Sequence, residues 1–193
     1  MINERGDITA IPRDIFLVNQ YINKCEKHSH LLILLQHVCS GSVARGTELE
    51  NVLLRNFSND SVYLHRNLFY DHATKCIIFL ANYNKHGIKL IPRFISGDMA
   101  KSFIVYTSIV RPALMLLNNL LKSNGKVLSI DDCCYSDLEV NMYYYYLDKY
   151  GNKLNDRQIR EVISSTLYDS FDLTLSFSGF RQVLTWVYCG VLV

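Results

Sequence analysis

Val62-Tyr63-Leu64-His65-Arg66-Asn67-Leu68-Phe69-Tyr70 and Cys76-Ile77-Ile78-Phe79-Leu80-Ala81-Asn82-Tyr83 are two runs dense in aromatic and branched apolar side chains. Between them stands the polar spacer Asp71-His72-Ala73-Thr74-Lys75. Such runs fit a pleated, half-buried surface, and a spacer of about five residues closes a β-hairpin. His86-Gly87 marks a further turn, and residues 88–94 read as a short third strand. The expected centre of the fold is therefore a three-stranded antiparallel hairpin region.

Helical spacing surrounds it. Over residues 14–38, Ile15, Phe16, Val18, Tyr21, Ile22 and Cys25 share a face, and a second apolar run at 31–38 follows the polar patch at 26–29. Pro12 suits the entry to that helix, and Ser40-Gly41-Ser42 breaks the pattern. Residues 47–55 read as a helix with Leu49, Val52 and Leu53 inward, and 56–61 as a loop. Residues 99–121 read as a long helix that Pro112 should kink or split, ended by Ser123-Asn124-Gly125-Lys126. An acidic, loop-like segment spans 127–139. Residues 155–168 form a helix with Asn155 or Asp156 as cap and Ile159, Val162, Ile163 and Leu167 inward. A last helix covers 177–187. With no repeat and no linker, the expected fold is one α+β domain, mainly helical.

Composition sets limits. Apolar residues make up 49% and charged residues 20%, which is globular rather than disordered. A net charge of +2 leaves any basic footprint local. The cysteines at 25, 39, 76, 133, 134 and 189 form no CxxC pair and no zinc spacing, so they read as reduced, mostly buried intracellular thiols. The apolar runs at 31–35 and 76–81 fall short of the roughly 20 residues of a membrane span. No membrane partner, metal or cofactor is expected.

Several residues invite a chemical reading. Arg45 and Glu48 lie three apart at a helix start: either a capping arrangement, with Thr47 or Ser42 as cap, or a phosphate-binding Arg held by a carboxylate. Lys85 at the end of the second strand is either a solvated charge or a cation carried at the hairpin tip. Arg55, His65, Arg66, Lys75, Lys85, His86, Lys89 and Arg93 meet only Asp60 and Asp71 within residues 55–93, a regional excess suited to phosphate contact. The four tyrosines at 143–146 read as a packing face rather than a nucleophile site. Asp131, Asp132, Asp137 and Glu139 lack a metal-loop pattern, and Asn124-Gly125-Lys126 is no nucleotide-binding loop, so ATP hydrolysis is not expected.

Arg45-Gly46-Thr47-Glu48-Leu49, Leu54-Arg55-Asn56, Arg66-Asn67-Leu68-Phe69, Tyr83-Asn84-Lys85, Ile91-Pro92-Arg93-Phe94, Val110-Arg111-Pro112 and Phe180-Arg181-Gln182 follow one another in this order. In that order they resemble the non-helicase N-terminal region of fungal subtelomeric RecQ-like DNA helicases, itself similar to a degenerate tyrosine-recombinase catalytic domain. The resemblance implies degenerate catalytic positions at Arg45, Glu48, Lys85, Ser178 and Arg181, with Ser178 where such domains carry a His. It implies DNA phosphate contacts by Arg45, Arg66, Lys85, Lys89, Arg93 and Arg181, a nuclear location, and neither ATPase nor strand transfer. Arg45, Lys85 and Arg181 should then converge on one concave basic face, with Glu48 partly buried against a donor.

The apolar stretch 183–193 reads as a domain cut short at its C-terminus. It also opens an alternative: a protein-interaction module docking a partner through that segment, or a remnant of a longer reading frame.

Overall fold

The structure, a computed structural model, describes residues 12–40, 44–59, 62–83, 89–122 and 143–191. Helix α1 (Pro12–Cys39) runs unbroken through the polar patch at 26–29. Ile22, Cys25, Ser29, Leu32, Ile33, Gln36 and His37 are buried at the three- and four-residue spacing of one helical face, and Leu34 is buried beside them. Ile15, Phe16 and Tyr21, expected on the inner face, stay exposed at its N-terminal end.

Helix α2 (Gly46–Leu49) lasts a single turn, not the expected span to residue 55. The Asn67 amide explains the stop. Its Oδ1 accepts the Leu53 N–H at 2.7 Å and its Nδ2 donates to the Asn51 carbonyl at 2.9 Å. The chain from Val52 to Leu54 is thereby held extended and pairs with the tyrosine segment, through Tyr145 N–H to Val52 O and Leu54 N–H to Tyr143 O, both at 2.8 Å. Val52 and Leu53 still point inward, but from an extended strand-like turn.

Two short strands follow, β1 (Phe57–Asn59) and β2 (Val62–Leu64), paired antiparallel, so part of the expected loop at 56–61 is strand. The expected single strand 62–70 is interrupted at 65–67, where Asn67 and Leu68 donate their N–H groups to the Leu53 carbonyl. Strand β3 (Leu68–Asp71) then turns through residues 72–75 into β4 (Cys76–Tyr83). The Asp71 carboxylate accepts from the Ala73 N–H and the Thr74 hydroxyl, and Lys75 takes a left-handed φ of 58° to close the turn. Strand β5 (Lys89–Ile95) completes the antiparallel sheet β3-β4-β5. Pro92 is tolerated because β5 is an edge strand. Ile77, Phe79, Ala81, Arg93 and Ile95 form the buried face.

Helix α3 (Gly97–Val105) leads into a π-helical turn at Tyr106–Val110 and then α4 (Arg111–Lys122). The wider turn is how the helix accommodates Pro112, which lacks an N–H for the preceding turn. By length and composition Gly97–Asn118 is apolar enough to cross a membrane. Phe103, Tyr106 and Leu114 nevertheless lie in the core, and the buried Arg111 guanidinium donates to the carbonyls of Tyr144 and Tyr145.

Helix α5 (Asp156–Phe171) starts at a reciprocal cap. The Asn155 side chain accepts the Gln158 N–H, and the Gln158 side chain accepts the Asn155 N–H, each at 2.9 Å. It ends at Asp172 in left-handed conformation. Helix α6 (Phe177–Val191) follows. One main core joins α1, α2, the three-stranded sheet, α3, Tyr145, Tyr146, α5 and α6. The fold is α+β and mostly helical, with one three-stranded antiparallel sheet. Tyr145 and Tyr146 are buried core residues. Of the three cysteines whose surroundings are described, all are unbridged and only Cys25 is buried, so the expectation of mostly buried thiols is not met among them. The acidic segment at 127–139 lies outside the described residues.

Candidate functional site

Glu48 is the anchor of the site. It stands in the only turn of α2, yet it is 7% exposed, and its Oε2 accepts from Arg93 Nη2 at 2.9 Å and from the Arg45 N–H at 3.1 Å. The carboxylate therefore caps the helix start through the main chain of Arg45 and ties that start to strand β5 through Arg93. The cap position is Arg45 itself, with extended backbone, rather than Thr47. Of the two readings of Arg45 and Glu48, the capping contact is present, with Glu48 accepting the Arg45 N–H, and the buried ion pair of Glu48 is made with Arg93. Arg93 was also expected to reach DNA phosphate. At 3% exposure in that ion pair it is a structural residue, because β5 turns Arg93 and Ile95 toward the core.

With its main chain held, Arg45 stands on the wall of an open cleft of about 520 Å³ between α2, α5 and α6. The cleft is lined by Arg45, Gly46 and Thr47, by Arg160, Glu161 and Ser164, and by Ser176, Phe177, Ser178 and Arg181. Gly46 allows this close approach: a β-carbon at that position would overlap Asp156 Oδ1 and force that carboxylate to move. The close approach is clamped by the Asp156 N–H, which donates to Glu50 Oε2 at 2.7 Å. Asp156 in turn engages Arg160 at two points, Oδ1 to Nε at 3.0 Å and Oδ2 to Nη2, and so fixes the direction of that guanidinium. The carboxylate of Glu161 faces Arg157 at 2.8 Å.

Phe177 forms the floor. The Arg160 and Arg181 guanidinium carbons stand 5.7 and 6.0 Å from its ring centroid, within reach of a cation–π attraction. Beneath it lies His37, fully buried, with ring centroids 4.9 Å from Phe177 and 5.9 Å from Phe180. Neither nitrogen of that imidazole has a hydrogen-bond partner. Burial, with the Arg181 and Arg93 charges adding to it, pushes the His37 pKa down to about 3, so the ring is neutral under the cleft.

Of the expected site residues, the structure brings Arg45, Ser178 and Arg181 into one cleft and places Glu48 directly behind it. Arg66 does not line the cleft; it is exposed before β3, with its guanidinium 4.9 Å from the Phe69 ring. Lys89 opens β5 opposite Tyr83, and Lys85 lies outside the described residues. Arg160 and His37 were not read as site residues. The spacing Asp156, Arg160, Ser164 marks a stripe of α5 flanking the buried Ile159 and Ile163, and was a usable signal. A lone His within the apolar run 31–38 was another. Among the described residues no cluster of His, Cys, Asp and Glu is arranged to hold a metal ion.

No known family model matches this chain, and neither does any curated protein or solved structure.

Proposed function

We propose that this chain is a non-catalytic DNA-binding module that grips phosphate in the cleft between α2, α5 and α6. The observation that carries this reading is that three arginines, Arg45, Arg160 and Arg181, line one cleft together with the hydroxyl-bearing residues Thr47, Ser164, Ser176 and Ser178. Guanidinium stays charged and offers a planar fork to phosphate oxygens, and hydroxyls add neutral donors. Recombinase-like ancestry is part of the proposal: Arg45, Glu48, Ser178 and Arg181 follow the order of that catalytic domain, and three of them line the cleft. A Ser at position 178 is a poor proton donor where an imidazole is needed, so binding without strand transfer is the activity that remains. A nuclear location and a DNA partner go with this reading. The test is DNA binding against salt concentration for the full chain and for Arg181→Ala: a log–log slope near zero, or unchanged affinity in the variant, removes the proposal.

A second reading rests on α6, where Val183, Trp186 and Val187 are exposed, Trp186 at 77%. Such a stripe suits a protein partner. Salt-independent binding to a protein, with no DNA binding, would favour it.

A further inference from the structure

The geometry points to a second site, a pocket between strands β3 and β4 and the helix formed by α3 and its π-helical turn, that takes a small, neutral aromatic molecule carrying one hydrogen-bond donor, of phenol or aniline type. The pocket holds about 170 Å³ and shares no residue with the cleft between α2, α5 and α6. An engineered apolar cavity of about 150 Å³ takes up benzene, so the size here suits a single ring. No charged side chain lines the pocket, and a carboxylate or ammonium would enter at the full cost of desolvation. The ligand is therefore neutral. Its aromatic character follows from the walls, where Phe69, Tyr70, Phe103 and Tyr145 offer rings to pack against. Phe103 and Tyr145 are already stacked on each other, with centroids 5.5 Å apart, which holds both rings in place.

The polar groups specify the donor. Thr107 and Ser108 line the pocket from the π-helical turn, a widened form of helix that recurs at functional sites. Their hydroxyl protons are committed to helix carbonyls, Thr107 Oγ1 to Phe103 O at 2.8 Å and Ser108 Oγ to Ile104 O at 2.6 Å. Each oxygen keeps lone pairs, so this wall accepts hydrogen bonds and donates none. Tyr145 stands beside Thr107, and its buried hydroxyl completes no hydrogen bond, a polar group the protein itself leaves unsatisfied. An O–H or N–H on the bound ring supplies the proton that the Thr107 and Ser108 oxygens lack.

The experiment titrates phenol, toluene and benzoate into the full-length protein by calorimetry and repeats the titrations in two variants. Ser108→Phe fills the mouth from an exposed position. Thr107→Val combined with Ser108→Ala keeps the shape and removes both acceptors. Phenol and toluene are expected to bind saturably and benzoate not at all, with Ser108→Phe abolishing both at an unchanged melting temperature. The variant without hydroxyls should lose about fivefold to tenfold in phenol affinity, the worth of one neutral hydrogen bond, and hold toluene as before. No saturable binding of phenol overturns the inference, as does benzoate binding as tightly as phenol, or an equal effect of the hydroxyl-free variant on phenol and toluene. Binding that survives Ser108→Phe in a folded protein places the ligand elsewhere and overturns it too. Self-association that Ser108→Phe blocks, in a chain that ignores phenol, gives the pocket to a side chain of a second copy instead.

Discussion

Arg93 Nη2 meets Glu48 Oε2 at 2.9 Å in a pocket where both side chains are at most 5% exposed. That pair links an edge strand to a one-turn helix, and a single turn by itself carries almost no intrinsic stability. The same oxygen holds the Arg45 N–H, so the position of a cleft residue depends on a core ion pair.

Removing one partner should therefore be costly. Arg93→Ala or Glu48→Ala leaves a buried charge uncompensated and should lower unfolding free energy by about 3 to 5 kcal/mol. Replacing both with Met and Leu should cost much less than the sum of the single changes. Urea denaturation of the two single variants and the double variant measures this, and additive losses would show that the pair is not the coupled unit described.

Gly46→Ala tests the α2–α5 contact. The added carbon would overlap Asp156 Oδ1 and displace the carboxylate from Arg160. A loss of about 1 to 3 kcal/mol is expected, as for other overpacked sites. Asp156→Ala in the same chain should recover part of it, because the obstructing group is gone. Melting temperatures of the single and double variants check the recovery; none would place the strain elsewhere.

Much of this architecture is legible from residue pattern, and the exceptions share a cause. Helices α1, α5 and α6, the hairpin β3-β4 and the return strand follow from spacing and turn chemistry. The Asn155–Gln158 cap is a local signal in the same way. The shortened α2 and the broken strand at 65–67 both depend on Asn67 reaching residues fourteen to sixteen positions away. Local propensity carries no record of such a long-range side-chain bond. The site divides likewise: the order of Arg45, Glu48, Ser178 and Arg181 is visible along the chain, while the burial of Arg93 depends on which face of β5 meets the core. Arg160 joins the cleft only because α5 packs against α2.

His37 gives a pH signature. Its pKa is pushed down to about 3 in the folded chain by burial and by Arg181 and Arg93, against about 6.5 when unfolded. The unfolded state then binds the extra proton between those values, so the His37 contribution to stability is fully present above about pH 6.5 and falls as pH drops, by about 1.4 kcal/mol per unit. His37→Phe, packed against Phe177 and Phe180, should remove that loss. Between pH 7 and pH 5 the wild type should lose about 2 kcal/mol more stability than the variant, read from denaturant midpoints. Parallel pH profiles would mean that the imidazole is not held neutral.

Salt dependence separates the cleft from the rest of the basic surface. If Arg160 and Arg181 each neutralise a phosphate charge, Arg160→Ala and Arg181→Ala should each weaken DNA binding and reduce the slope of log affinity against log salt by about 0.7 to 0.9. Arg66→Ala, outside the cleft and stacked over Phe69, should leave that slope nearly unchanged. Such contacts position a strand without reading its bases, so the losses should be alike for unrelated sequences. Anisotropy titrations across about 50 to 200 mM salt on two oligonucleotides of different sequence decide the matter. A slope change in Arg66→Ala equal to that in Arg181→Ala would move the phosphate contacts to the sheet side of the molecule and away from the cleft.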